Sequence, residues 1–349
     1  MSELRISHET LKRFALDLIQ ASGLDAEEAD IIADVFIWMD MIGRYTQGIA
    51  RLPVYLKRFQ LGLINSPCHP EFVKRAEAVY LLEGNDGFGH YLGHLAMKKA
   101  VDIARRFGVG LVGVKHSNHF GAAAYYVNLA AQDGQIGMAV SNSVPHVAAH
   151  GGISAVLGTN PMAISVPTKG GYPVLIDLST GPSSGSAIMK AAQEGKQIPS
   201  GWVIDHEGNP VVDAKEAVQG VLLPFGGAKG FCLCLAVEIL SGVLTGSAIS
   251  NEIASLHKDF SRSSRVGHSF LAIDVTKMMP AELFYGRMDT LIGFIKGSRK
   301  QKGIDEILIP GETRWRCYQE QHSHGISLDE KAMKSLAEFA KDMKISPPW

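Results

Sequence analysis

Between His90 and Ser141 the apolar residues alternate between helix spacing and strand spacing, with glycines near the changeovers. Residues 90–107 read as a helix, 110–114 as a strand, 122–133 as a helix and 136–141 as a strand. A further strand, Val79–Glu83, precedes them. Such alternation restricts the segment to a mixed α/β architecture, which starts near Val73 and runs for roughly 200 residues. It also decides how two glycine strings are read. Gly108-Val109-Gly110-Leu111-Val112-Gly113 matches the GxGxxG string, but that dinucleotide fingerprint needs a strand before it and a helix directly after. Here a helix comes first and a strand holds the second and third glycines, so a Rossmann site is excluded. Gly181-Pro182-Ser183-Ser184-Gly185 matches GxSxG, but Leu178-Ser179-Thr180 separates it from the preceding strand. A nucleophile elbow requires the strand to run into the first glycine, so this is read as a flexible loop.

Both chain ends are helical in pattern. Ser7 is a candidate N-cap, with Thr10 where a full capping box would have Glu or Gln. Leu11, Phe14, Ala15 and Leu18 follow at helical spacing, and Ala26–Met41 repeats it. A third helix spans about residues 51–61 and closes at Gly62, before Asn65-Ser66-Pro67 breaks the chain. Residues 327–343 are helical again and are expected to pack on the N-terminal helices. A chain of 349 residues suits about two domains. The expected division is a helical domain from residues 1–72 with 315–349, and an α/β domain from 73–314. The apolar run 230–246, interrupted by Glu238, reads as a buried helix rather than a membrane span.

Charge and cysteines narrow the function classes. With 34 basic and 35 acidic residues and no long basic run, the chain lacks a nucleic-acid footprint. Cys68, Cys232, Cys234 and Cys317 form no CxxC pair and read as free thiols of a reducing compartment. The N-terminus has no signal-peptide core, so a soluble cytoplasmic protein is expected. His116 and His119 stand three apart without a third ligand nearby, and no metal site is expected.

The chemistry-bearing residues lie at junctions. Lys115-His116-Ser117-Asn118-His119-Phe120-Gly121-Ala122 puts a titratable imidazole where a strand hands over to a helix. A structural histidine or a helix-entry turn is the plainer reading. Gly158-Thr159-Asn160-Pro161 is a turn between apolar runs. Asp177 ends a strand, where a carboxylate can orient a histidine, bind a ribose hydroxyl or cap a helix. Gly226-Gly227-Ala228-Lys229-Gly230 opens the long apolar helix as a phosphate seat or a solvated turn.

Asn118-His119-Phe120-Gly121, Gly158-Thr159-Asn160-Pro161, Asp177 with its strand, Ile198-Pro199-Ser200-Gly201-Trp202 and Lys229-Gly230 occur in that order. As an ordered set over nearly the whole chain, they resemble the type-2 malate/L-lactate dehydrogenase family. That resemblance implies a non-Rossmann, largely antiparallel α/β domain that binds NAD or NADP, a helical domain from both chain ends, and a homodimer. It implies His119 as acid/base and Arg51 as the substrate-carboxylate clamp, with Tyr45, Thr46 and Asn160 beside the substrate. Ser143, Asp177, Leu178, Ser179, Lys229, Gly230, Gly311, Glu312 and Thr313 match cofactor contacts. The family usually carries Ser-His-Gly ahead of the arginine, where this chain has Tyr45-Thr46-Gln47-Gly48. Gln47 can hydrogen-bond but cannot exchange a proton near neutral pH. Proton transfer then falls to His119, to Asp177 through water, or to the substrate, unless activity is lost. The expected function is reduction of a small 2-oxo acid or cyclic 2-imino acid, or the reverse oxidation. The alternative is a cofactor-binding homologue without activity. Arg262 and Arg265, in a polar loop, tilt the expectation towards NADP.

Overall fold

The computed structural model describes residues 4–349. A seven-stranded sheet forms its centre, ordered Glu71–Ala76, Val79–Glu83, Val109–Ser117, Val266–Asp274, Gln135–Ser141, Met162–Val166 and Val174–Leu178. Val79–Glu83 and Val109–Ser117 are parallel, as their crossover helix Gly89–Phe107 demands. The other neighbouring pairs in this sheet are antiparallel. The overall class is α/β, and among the described residues no strand feeds a Rossmann-type glycine turn. Helix Gly89–Phe107 instead ends at Gly108, and the next residues enter the sheet.

Side-chain alternation explains the two layers on this sheet. Gly110 faces helix Gly89–Phe107, where an added Cβ would lie 2.2 Å from the Ala100 carbonyl oxygen. Gly113, of opposite parity relative to the pleat, faces Thr245 on the other side. Helices Gly89–Phe107 and Ala124–Gln132 line the first face. Helix Ala228–Glu238 and its π-turn Ile239–Val243 approach the second. A five-stranded sheet of short strands joins Pro210–Val211, Val203–Ile204, Val221–Leu222, Val147–Ala148 and Ala155–Leu157.

The terminal helices form as their patterns require. Ser7 Oγ accepts from the Thr10 N–H at the start of His8–Ala21, and Asp25 caps Ala26–Met41. Arg5–Ile6 pairs with Ile326–Ser327, and Leu336 and Ala340 of Glu330–Asp342 join the core that holds Leu11 and Phe36. Residues 230–246 depart from expectation. Leu235, Ile239, Val243 and Leu244 are exposed, Leu244 at 60%. The run is helical but covers the sheet with one side only, so its other apolar side meets none of the described residues. No helix among the described residues is long and apolar enough to cross a membrane.

Candidate active site

The site is organised by one short helix, Leu52–Gln60, with Arg51 at its N-cap. Residues four and seven positions after Arg51 return to the same helical face, which aligns Arg51, Tyr55 and Arg58. Each reaches a different segment. The Tyr55 hydroxyl lies 2.6 Å from His119 Nδ1. Arg51 Nη1 lies 3.3 Å from His257 Nε2. Arg58, fully buried, donates to the carbonyls of Asp259 at 2.6 Å and Arg262 at 2.8 Å, fixing the loop that carries His257.

His119 owes its place to its neighbours in sequence. Phe120 stacks on His268 with ring centroids 4.4 Å apart, and His268 bridges Ser141 and Ser117 at 2.9 Å each. Asn118 Nδ2 donates to the carbonyls of Asp86 and Gly87. Gly121, with φ +79°, makes the left-handed turn into the next helix and donates its N–H to His119 Nδ1 at 3.2 Å. A backbone N–H only donates, so Nδ1 is the unprotonated nitrogen and the ring proton of neutral His119 sits on Nε2. Burial holds the pKa of His119 well below the usual histidine range, with Arg51, His90, His268 and His257 acting in the same direction. Burial, partly opposed by the Ile49 N–H, pushes Asp40 up to about 8; its Oδ2 accepts from Ile49 and ties down the turn before Arg51. Gly48 is required there, since an added Cβ would lie 1.8 Å from Asp40 Oδ1.

The segments expected at the cofactor converge from distant parts of the chain. Ser143 N–H donates to Asn160 Oδ1, Thr180 N–H to the Thr159 carbonyl, and Phe225 N–H to the Thr180 carbonyl. Leu178 and Ser179 lead into Thr180, while Lys229 and Gly230 follow Phe225. A Cβ on Gly158 would lie 2.2 Å from Ser143 Oγ, and one on Gly230 1.9 Å from the Phe225 carbonyl oxygen. Glycine is therefore what lets these loops touch. Helix Ala228–Glu238 starts without a side-chain cap, and Lys229 is exposed in its first turn. At the other end of strand Val174–Leu178, Leu175 N–H donates to the Pro310 carbonyl, which places Gly311, Glu312 and Thr313 at that edge. Glu312 pairs with Lys296, and Thr313 is exposed.

The profile of the malate/L-lactate dehydrogenase family matches residues 6–337. The chain belongs to this family. A malate/(S)-sulfolactate dehydrogenase from Methanothermus fervidus is 36% identical over 344 residues, 99% of each chain. The crystal structure of malate dehydrogenase from Entamoeba histolytica superposes with a TM-score of 0.94 at 31% identity, covering 100% of both chains. Sulfolactate dehydrogenase from Methanocaldococcus jannaschii gives 0.92 at 33% identity, covering 98% of each.

Within this family frame, the geometry revises two expectations. Asp177 does not reach a histidine: its carboxylate forms a short ion pair with Arg44, and Tyr55 orients His119 instead. Asn160 is fully enclosed, and its amide hydrogens go to the Cys234 carbonyl and Glu238 Oε2, so it braces the loops rather than facing a substrate. Arg262 and Arg265 lie beside Asp259 and Asp86 in exposed ion pairs. In the Tyr45–Gln47 turn, the Tyr45 hydroxyl accepts from Gln321 and Thr46 is exposed. Gln47 Oε1 is buried and has no hydrogen-bond partner among the described residues. Tyr55, Arg58, His257 and Arg44 escaped the sequence reading. The Arg51-x3-Tyr55-x2-Arg58 spacing was the available signal for the first two.

Proposed function

We propose that this chain is a nicotinamide-dependent oxidoreductase that reduces a small 2-oxo acid or cyclic 2-imino acid, or oxidises the 2-hydroxy acid. The observation that carries this reading is the pairing of Arg51 with His119 through one helix face, with Tyr55 as the link. Arg51 grips the substrate carboxylate with its planar fork. His119 directs Nε2–H at the reacting oxygen or nitrogen and hydrogen-bonds the negative charge that develops there, with the proton itself coming from water, while Tyr55 and the Gly121 N–H fix the ring. Gln47, with its unpartnered oxygen, and Thr46 hydrogen-bond the substrate.

The uncapped helix start at Gly227, the exposed Lys229 and the touching loops at Ser143 and Ser179 fit the diphosphate of NAD or NADP. A nicotinamide held there would supply or accept hydride. Asp177, held by Arg44, and the Gly311-Glu312-Thr313 turn complete that seat from the sheet edge. We assign residues 1–72 and 315–349 to one helical domain and 73–314 to the cofactor domain. The apolar residues left exposed support a homodimer. Helix Ala281–Lys296 has no buried residue, and its Phe294 is 74% exposed. Four unpaired cysteines are consistent with a reducing, cytoplasmic setting.

An iminium already carries positive charge, so its reduction creates no alkoxide that needs an acid. Gln47 in the usual histidine position favours that substrate class, and it also motivates the reading without catalysis. Loss of NADH or NADPH absorbance against a panel of 2-oxo acids and cyclic imino acids tests both. Turnover with a carboxylate-bearing substrate and none with its amide is expected. No turnover across the panel would leave the non-catalytic homologue.

A further inference from the structure

His257 has no role in the reading above, yet it touches the residue that reading depends on. It sits on a loop held from beneath by buried Arg58, which also donates to Ser264 Oγ, while Lys57 lies 5.0 Å over the Phe260 ring of the same loop. The imidazole is thus carried on an anchored segment, with its Nε2 at 3.3 Å from Arg51 Nη1. A guanidinium is a donor only, so Nε2 accepts and His257 is neutral in this arrangement. The charged and titratable groups that face it are Arg51 and Arg58 from the helix and His119 from the sheet junction. On its own loop, the Asp259 carboxylate is turned to Ser261 and Arg262, and Lys258 is exposed.

We propose that His257 takes up a proton when a substrate carboxylate engages Arg51, and that the imidazolium then holds the anion jointly with the guanidinium. This rests on the reading of Arg51 as the carboxylate clamp. The physical reason is local. The anion draws the Arg51 donors away from Nε2 and freshly exposes a lone pair. It also offsets the positive charge that disfavours protonation there. Partial desolvation and the nearby Arg51 and Arg58 hold His257, which remains exposed to solvent, below the usual histidine range before the anion arrives. His119 is not equivalent, because its Nδ1 stays committed to Tyr55 and Gly121. The chain thereby regains, beside Arg51, a titratable group that Gln47 does not supply.

Calorimetric binding of oxalate to the NADH-saturated protein, at pH 8 in two buffers of different ionisation enthalpy, counts the protons. Wild type should take up about one proton per oxalate, and oxalate affinity should fall by up to about tenfold per pH unit as the proton becomes scarce. His257→Asn should abolish both effects, and His119→Asn should retain them. In turnover, His257→Asn should raise KM at pH 6 while changing kcat by less than about threefold, as expected for a binding contact. Proton uptake that persists in His257→Asn, or that disappears in His119→Asn, overturns the proposal. Oxalate binding that is unchanged by Arg51→Lys would overturn the clamp itself and this inference with it. Binding that needs Arg51 but takes up no proton would overturn only the role of His257.

Discussion

The two walls of the site are built by different means. The proposed substrate wall is a stripe of side chains on one helix, where Arg51, Tyr55 and Arg58 each reach a separate segment. The proposed cofactor wall is made of loops joined by backbone hydrogen bonds, brought into contact by glycines that have no room for a Cβ. Substitutions of Arg51 and Tyr55 on the first wall should therefore change chemistry with the fold intact. Substitutions on the second should change the fold before they change chemistry.

The largest effect is expected at His119. His119→Ala should lower kcat by about 10²–10³, the usual scale for losing a positioned donor to a developing charge, with nicotinamide affinity nearly unchanged. Steady-state kinetics beside a fluorescence titration of NADH would check it, and full activity would take His119 out of the mechanism. On the loop wall, Gly230→Ala meets the Phe225 carbonyl at 1.9 Å. It should cost up to about 3 kcal/mol of stability, seen as a lower denaturation midpoint together with weaker NADH binding. A variant with unchanged stability and altered kcat would reverse the contrast between the walls. Arg51→Lys loses the bidentate fork and should raise KM by about 10–100-fold, with a smaller change in kcat. An unchanged kcat/KM would show that the clamp lies elsewhere. Tyr55→Phe removes one hydrogen bond to His119 and should reduce kcat by about 3–10-fold with KM held.

The smallest expected effect is one of pH. Asp40, raised from 3.8 to about 8, keeps its proton in the folded protein over a range where the unfolded chain has lost it. Its contribution to stability is complete below the unfolded value and is lost as pH rises through about 8. Asp40→Asn keeps an acceptor for the Ile49 N–H and cannot ionise. The gap in melting temperature between Asp40→Asn and wild type should shift in favour of Asp40→Asn as pH rises from 5 to 9. A gap independent of pH would mean that Asp40 does not titrate in the fold.

Local pattern carried far in this chain. The spacing of Leu11, Phe14, Ala15 and Leu18 determined the first helix, and Gly108, which stands between a helix and a strand, excluded a Rossmann turn. The Asn118-His119-Phe120-Gly121 string placed a histidine at the junction where it stands, because a φ of +79° at the next turn needs glycine. Periodicity could not indicate that strand Val266–Asp274 inserts between Val109–Ser117 and Gln135–Ser141. Pairing across more than a hundred residues depends on which faces remain to be covered, not on spacing within a segment. The contacts of Arg51 with His257, Tyr55 with His119 and Arg44 with Asp177 were decided the same way. Each joins side chains from separate elements, and only the packed fold sets the distance between them.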